Sequence, residues 1–484
     1  MGPGPMLAAF VWHQSLLYGC IVQVVASFVA FVLQEGAARL AIVSGAGLGQ
    51  AMRLHLGSKD RPTETPIVCT LVAAGIMVGN SAYAANNIVG AVAALYALGM
   101  PSTAALRALA SVGTGLVTAG VLLGGDMDLT SRGLGAIVLL MICLFLGSVV
   151  ATGIDGEDLA KGLLPNFPPG NGSVTVLAMV ATTAIPFNSF LASSAADGHA
   201  LGDMKRGVAF STAMAGLLSF FVVATGAGVN RGDDDNSFTI ESLSNTLKET
   251  EGAFAGLMFG GGLYAAAFSS ALAVALGASL TLQSLLAHHH GPQRLPQGPA
   301  VAGVTDRPGE ECPTTVANPV VAHAGGPRAG AASSRTRSDS QEALSTESQT
   351  AAVAEASNAP PSGQLASQQP VAGTKRHKEF GPWSDDGVYY RGVMLFVCAV
   401  GVGVGASGTD TIVVVFAAQV VNGLLLPVIA SCLLVCLNDV SLMREKPISA
   451  WDNVRLFGAV GVTFFLAAHT VCTNVWLCSL LSHL

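Results

Sequence analysis

Ten stretches of the chain stay apolar for about 20 residues each, the length a helix needs to cross a bilayer, and this recurrence restricts the fold more than any other feature. They run approximately from Leu16 to Leu33, Ile67 to Leu95, Ala104 to Leu123, Leu134 to Thr152, Val174 to Ser194, Val208 to Val229, Phe254 to Leu286, Val388 to Ala406, Ile412 to Leu437 and Leu456 to Leu481. In hydrocarbon no water bonds the backbone, so a span must satisfy its own N–H and C=O groups, and a helix does so within one segment. The expected fold class is therefore all-α, a multi-pass integral membrane protein of about ten transmembrane helices. With 51% hydrophobic and 11% charged residues, the composition is that of a chain whose solvent is lipid. The 57 glycines suit helices that approach closely in a bilayer. A net charge of -7, with no basic patch outside the loops, gives no footprint for nucleic acid.

The spans form two blocks, helices one to seven over residues 1–287 and helices eight to ten over 387–484. Between them, residues 288–386 are rich in Ala, Ser, Pro, Gln and Gly and nearly free of aromatics, which predicts a disordered linker. Its Ser/Thr-rich middle, Ser333 to Ser348, is either a phosphorylation region or a tolerated insertion. Basic residues collect on the cytoplasmic side of short loops. One alternating set of loops holds Arg39, Arg53, Lys59, Arg61, Arg132, Lys205, Arg206, Arg444, Lys446 and Arg455, while the other holds Lys161, Arg231 and Lys248. That asymmetry places the linker in the cytoplasm and both ends of a ten-helix chain outside.

Charged groups inside the spans are scarce. Glu35 and Arg39 sit one turn apart after the first span and can pair. Amides are more frequent: Asn80, Tyr83 and Asn87 recur on one face of the second span, and the ninth carries Gln419 and Asn422 before Pro427. Such a face either lines a polar path or joins helices by hydrogen bonds. In the fifth span, Thr182-Thr183-Ala184-Ile185-Pro186-Phe187-Asn188, proline removes a backbone donor in mid-membrane and frees the Thr182 carbonyl. The result is a kinked helix, or a broken one of the kind that exposes carbonyls to an ion. The His288–His290 run reads as a solvated tract rather than a metal-sensing site and the Asp233–Asp235 loop as a solvated acidic loop rather than a cation collector, while Asn171-Gly172-Ser173 matches a glycosylation sequon on the outer side that lies close to the fifth span. Cys432 and Cys436, one turn apart, read as small buried hydrophobes rather than a soft-metal pair. No phosphate-binding loop, catalytic triad or HExxH is present, which argues against an ATP-driven pump or an intramembrane enzyme, and no cofactor is expected.

The run Ala184-Ile185-Pro186-Phe187-Asn188 resembles the sixth-helix motif of the NRAMP divalent-metal transporters, usually Met-Pro-His-Asn. Four stretches agree in order: Val32 to Gly45 resembles the family's second helix and following loop, Gly79 to Leu95 its third, Phe259 to Ser270 its eighth, and Ala417 to Pro427 its tenth. The resemblance implies a LeuT-like fold of two inverted five-helix repeats plus an eleventh helix. On that mapping the chain begins at the family's second helix, without a counterpart of the first, which carries two metal ligands. The family's methionine ligand falls on Ile185, its carbonyl-donating alanine on Thr182, its histidine on Phe187, and a glutamine that approaches the metal on Gln419. Its proton-path acids in the third helix fall on Ala84 and Asn87, which do not titrate.

What the resemblance implies is a secondary transporter of divalent cations of the manganese, iron or magnesium class, weakly coupled or uncoupled to protons. Thr182, Ile185 and Gln419 would meet the metal, and Pro186, Phe187, Asn188, Asn80, Asn87 and Asn422 would line the path. The alternatives are a transporter of this fold for another solute, or a truncated, non-transporting paralogue acting through its cytoplasmic linker.

Overall fold

The computed structural model describes residues 16–57, 66–124, 127–152, 172–196, 198–228, 244–245, 248–249, 252–287, 381–384, 386–443 and 447–473. The described residues are helices and short turns: α1 (Leu16–Ser44), α2 (Leu48–Leu56), α3 (Ile67–Ala97), α4 (Ala104–Gly124), α5 (Met127–Thr152), α6 (Gly172–Thr183), α7 (Pro186–Ala195), α8 (Leu201–Gly228), α9 (Ala253–Leu286), α10 (Val388–Ser407), α11 (Thr411–Leu437), α12 (Val440–Met443) and α13 (Ala450–Thr473). Over the described residues, each of the ten apolar stretches falls on a long helix, or on the α6–α7 pair. Among the described residues nine such segments are long and apolar enough to cross a membrane; in α5 the corresponding run is Gly135–Gly147.

Helix bounds differ from the apolar bounds where charge is tolerated. The first stretch ends at Leu33 by hydropathy, yet α1 continues to Ser44, because Glu35 and Arg39 pair within it at 2.6 Å and remain compatible with a helix. Likewise α8 begins at Leu201 rather than Val208, and α13 at Ala450 rather than Leu456. Hydropathy marks the part of a helix that meets lipid, and the hydrogen-bonded ladder runs on beyond it. Helix α2 falls in a stretch expected to be a loop.

Helix α3 is the axis of the bundle, packed on α9, α10 and α11. Its first turns face lipid at Ile67, Leu71 and Val78, whereas nearly every side chain from Gly79 to Ala94 is buried. Helix α1 is two-faced: Val22, Ala26, Val29, Ala30, Leu33 and Ala37, spaced by three and four, point inward, while Ile21, Val24 and Phe28 point out. Two lipid-like surfaces gain little by merging in a bilayer, so close packing and polar ties must hold the helices together.

The ties at one end of the bundle follow the alternation of the spans. Arg39 of α1 bridges its own Glu35 and, at 3.2 Å, Asp452 of α13, which also pairs with Arg455. Helix α2 lies across the same end: Arg53 donates to the Ala287 carbonyl past α9, His55 pairs with Asp439 past α11, and the Leu48 amide donates to Ser193 Oγ of α7 at 3.1 Å. Gln283 of α9 donates to the Trp383 carbonyl at 2.6 Å, within the 3₁₀ turn Gly381–Trp383 that precedes α10. These ends are the ones the basic residues assign to the cytoplasm. Lys248 and Ser244 both donate to the Ala97 carbonyl at the other end of α3. The rest of the linker to 380, the His288–His290 run, Asp233–Asp235 and Asn171 lie outside the described residues.

Two stability effects follow. Replacing Asp452 by Asn leaves Arg39 and Arg455 facing each other without their shared anion, and the side chains are only 13–21% exposed. Unfolding of the detergent-solubilised protein should show a loss of about 1–3 kcal/mol, with Glu35→Gln milder because Asp452 still holds Arg39; a fully stable Asp452→Asn protein would contradict the network. Asp439 accepts bonds from Ser441 (Oγ 2.6 Å, backbone N 2.7 Å) and from His55, and these hold its carboxyl down at about 2 from the usual 3.8. A depressed carboxyl stabilises above its ordinary pKa, and that stabilisation disappears as pH falls through the folded value. Protection of the Leu48–Leu56 amides, measured as exchange relative to the unstructured rate at the same pH, should therefore fall between about pH 4 and 2, and Asp439→Asn should lower it at neutral pH and flatten the acid response.

Candidate functional site

The site forms where one span breaks. Pro186 stands at the first position of α7, and Ile185 before it is extended, at φ −66° and ψ 131°. The last α-type bond of the upper segment is Ala184 N–H to the Val180 carbonyl at 2.7 Å; the next bond is a short turn from Asn188 N–H to the Ile185 carbonyl at 3.0 Å. Thr182 has proline four residues on, so its carbonyl has no helical donor. Its hydroxyl donates backwards to the Ala178 carbonyl at 2.6 Å, leaving the Thr182 carbonyl as the group free to act outward. Thr183 is tied to α1: Gln23 Nε2 donates to Thr183 Oγ1 at 3.1 Å, and Gln23 Oε1 lies 3.3 Å from the same hydroxyl.

Facing the break are α3 and α11. Tyr83, wholly buried, directs its hydroxyl toward Gln419 and Thr182 but closes a hydrogen bond of ordinary geometry with neither. Around it, Asn80 Nδ2 donates to the Val274 carbonyl of α9 at 3.2 Å and Asn87 Nδ2 to Ser270 Oγ at 2.9 Å. Asn422 Nδ2 donates to the Gly79 carbonyl at 3.2 Å and the Ala418 carbonyl at 2.9 Å. Gly79 allows this approach, since a Cβ there would stand 2.9 Å from Asn422 Oδ1.

What distinguishes this region is polar capacity left over. Both amide atoms of Gln419 are buried without a partner, as are Tyr83 Oη and the Oδ1 atoms of Asn80, Asn87 and Asn422, and so are Ser81 Oγ and both amide atoms of Asn86. An unmet buried polar atom costs about 1–3 kcal/mol, and native interiors rarely tolerate several together without a function. The set is neutral and mostly oxygen. Among the described residues no three His, Cys, Asp or Glu side chains gather to hold an ion. Cys432 and Cys436 are free thiols, half-buried and buried. Oxygen atoms of this kind suit a hard cation that keeps part of its hydration shell, and they provide nothing soft to select manganese or iron over magnesium.

The residues expected from sequence divide into groups. Thr182 and Gln419 meet at Tyr83, and Asn80, Asn87 and Asn422 extend the polar face along α3 and α11. Pro186 makes the break, and Asn188 is half-buried in the first turn beyond it. Ile185 keeps its place at the break but its side chain is packed in the apolar core, so it offers a carbonyl alone, and that carbonyl already accepts the Asn188 amide. Phe187 is buried against α9 at Gly277. Missed were Gln23, legible as a lone amide in the apolar run of the first span, and Ser270, which nothing in its Ala- and Ser-rich surroundings singles out.

The sequence profile described as natural resistance-associated macrophage protein-like, Nramp, matches residues 15–301 and 354–473. No curated protein matches the sequence. Among solved structures, those of a manganese transporter from Eremococcus coleocola are similar: its complex with an aromatic bis-isothiourea substituted compound has a TM-score of 0.59 at 17% identity, and a histidine-to-alanine mutant has 0.56 at 15%. A glutamate-to-glutamine mutant of the same transporter has 0.55 at 15%. Each match covers 97% of this chain and 85% of the other. At such identity the likeness is one of fold, the LeuT-like inverted-repeat architecture. With that fold and a family profile spanning most of its length, the chain belongs to the NRAMP family of multi-pass membrane transporters.

Proposed function

We propose that this protein moves divalent metal cations across its membrane through the break between α6 and α7, without proton coupling through α3. The observation that carries the reading is Gln419, fully buried with both amide atoms unpartnered, which meets Thr182 at the Tyr83 hydroxyl, where Pro186 leaves the Thr182 carbonyl without a helical donor. A cation arriving there would meet the Thr182 carbonyl, Gln419 and the Tyr83 hydroxyl, and retained water would complete its shell. The family profile and the fold shared with a manganese transporter support a metal substrate. The absence of thioether and carboxylate from this donor set supports weak discrimination among magnesium, manganese and calcium.

Coupling to protons needs a group that titrates along the path. The two positions that resemble the family's proton path are Ala84 and Asn87, and the Asn87 amide is committed to Ser270. Neither can bind or release a proton near neutral pH.

Uptake of manganese, magnesium and calcium into proteoliposomes tests both points. Gln419→Ala should cut flux of every transported ion by about tenfold, the 1.4 kcal/mol expected from losing one liganding amide. Imposing a pH gradient of one unit should leave initial rates unchanged within a factor of about two, whereas a proton-driven carrier would follow the gradient. No flux of any divalent cation would overturn the reading.

A further inference from the structure

We propose that Phe187 is a hydrophobic gate closing the cytoplasmic side of the polar site, and that Gly277 is the seat on which its ring rests; the transport role of the gate depends on the reading above. Phe187 is the second residue of α7 and follows the break directly, and its side chain is 1% exposed. A Cβ added to Gly277 would fall 2.3, 2.7 and 3.1 Å from three atoms of the Phe187 ring, so the ring occupies the place a side chain on α9 would fill. Any residue larger than glycine at 277 would push the ring off.

The surroundings make this contact a barrier and not just a packed pair. Phe187, Phe190, Val274, Ala275, Ala278 and Leu282 belong to one continuous apolar core, and α7 runs on from the break toward the end where Ser193 meets α2, which places Phe187 on the cytoplasmic side of Thr182. Ser279 of α9, the nearest hydroxyl along this stretch of the helix, is bonded to the Ala275 and Tyr390 carbonyls. The unmet polar atoms of Tyr83 and Gln419 stand beside Thr182, before the break, while past Gly277 on α9 a single unmet hydroxyl, Thr281 Oγ1, follows among the described residues. A cation leaving that cluster toward the cytoplasm must shed water against an apolar constriction, and such constrictions stop ions by excluding water. A phenyl ring does not titrate, so the barrier is indifferent to pH.

The element carrying the ring can move without unwinding. Among the described residues no α-type hydrogen bond crosses from α6 to α7, and the far end of α7 is tied to α2, where Ser193 Oγ accepts the Leu48 amide. Because α2 is itself held to the ends of α9 and α11 through Arg53 and His55, lifting Phe187 from Gly277 moves α7 away from α2 by giving up the Leu48–Ser193 bond, with no helical bond broken.

Accessibility tests the gate without relying on transport. In an Ile185→Cys background the full-length protein is treated from the cytoplasmic side with a membrane-impermeant methanethiosulfonate, and modification at position 185 is followed by peptide mass spectrometry. With Phe187 present, labelling should be slow; Phe187→Ala should raise its rate at least tenfold, Phe187→Leu less, and Gly277→Ala should also raise it by unseating the ring. Combining Gly277→Ala with Phe187→Ala should add nothing to Phe187→Ala alone. In proteoliposomes, Phe187→Ala should increase manganese and magnesium flux several-fold. Unchanged labelling in folded Phe187→Ala and Phe187→Leu proteins would overturn the gate. Labelling that follows the pattern while no variant carries any cation would keep the gate and overturn the transport reading.

Discussion

The amide hydrogen that Pro186 does not have is the constraint on which the rest of the site depends. In a helix crossing a bilayer every other backbone group is met within the segment, so one missing donor is felt at once by the carbonyl four residues before it. Here the chain responds by stopping α6 at Thr183, extending through Ile185, and starting again at Pro186. Two half-helices need more support than one, and the structure surrounds them: α1 bonds Thr183 through Gln23, α9 receives Phe187, and α3 and α11 bring their amides up to the gap. The break is therefore buried on all the sides that are described, and Thr182, 1% exposed, keeps its carbonyl away from lipid.

Burial also explains why so much polarity can collect in so apolar a chain. Asn80, Asn87 and Asn422 each use their amide NH₂ to join helices and leave the oxygen over. One half of each side chain is thus structural glue, while the other half is available to a passing ion. The same atoms that fix the distance between α3, α9 and α11 set the number of oxygens in the path, so packing and function cannot be varied separately at these positions.

Much of the bundle was legible from hydropathy, because the length of a span follows from the thickness of the bilayer. The break was legible from Pro186, and the local pair Glu35–Arg39 from its one-turn spacing. What linear reading could not supply is partnership across long separations. Asp452 joins that pair from the far end of the chain, Ser270 answers Asn87, and Gln23 answers Thr183. Hydrogen-bond partners depend on which faces meet, and helix order alone leaves those faces undetermined. The existence of α2 escaped for a related reason: its nine residues are too short and too mixed to stand out by hydropathy, and its bonds reach α7 and the ends of α9 and α11, which are far away in sequence.

The two anchors at the end of α9 give the long polar stretch between α9 and α10 an unusual geometry. It departs after Ala287, whose carbonyl is held by Arg53, and returns at Trp383, whose carbonyl is held by Gln283. Gln283 and Ala287 are one helical turn apart, about 6 Å along the axis. Departure and return are thus fixed about one helical turn apart, and for ends held in this way doubling the length of a flexible connection costs only about 0.6 kcal/mol. The position works as a socket, at which chain can be inserted or removed at small entropic cost to the helices on either side.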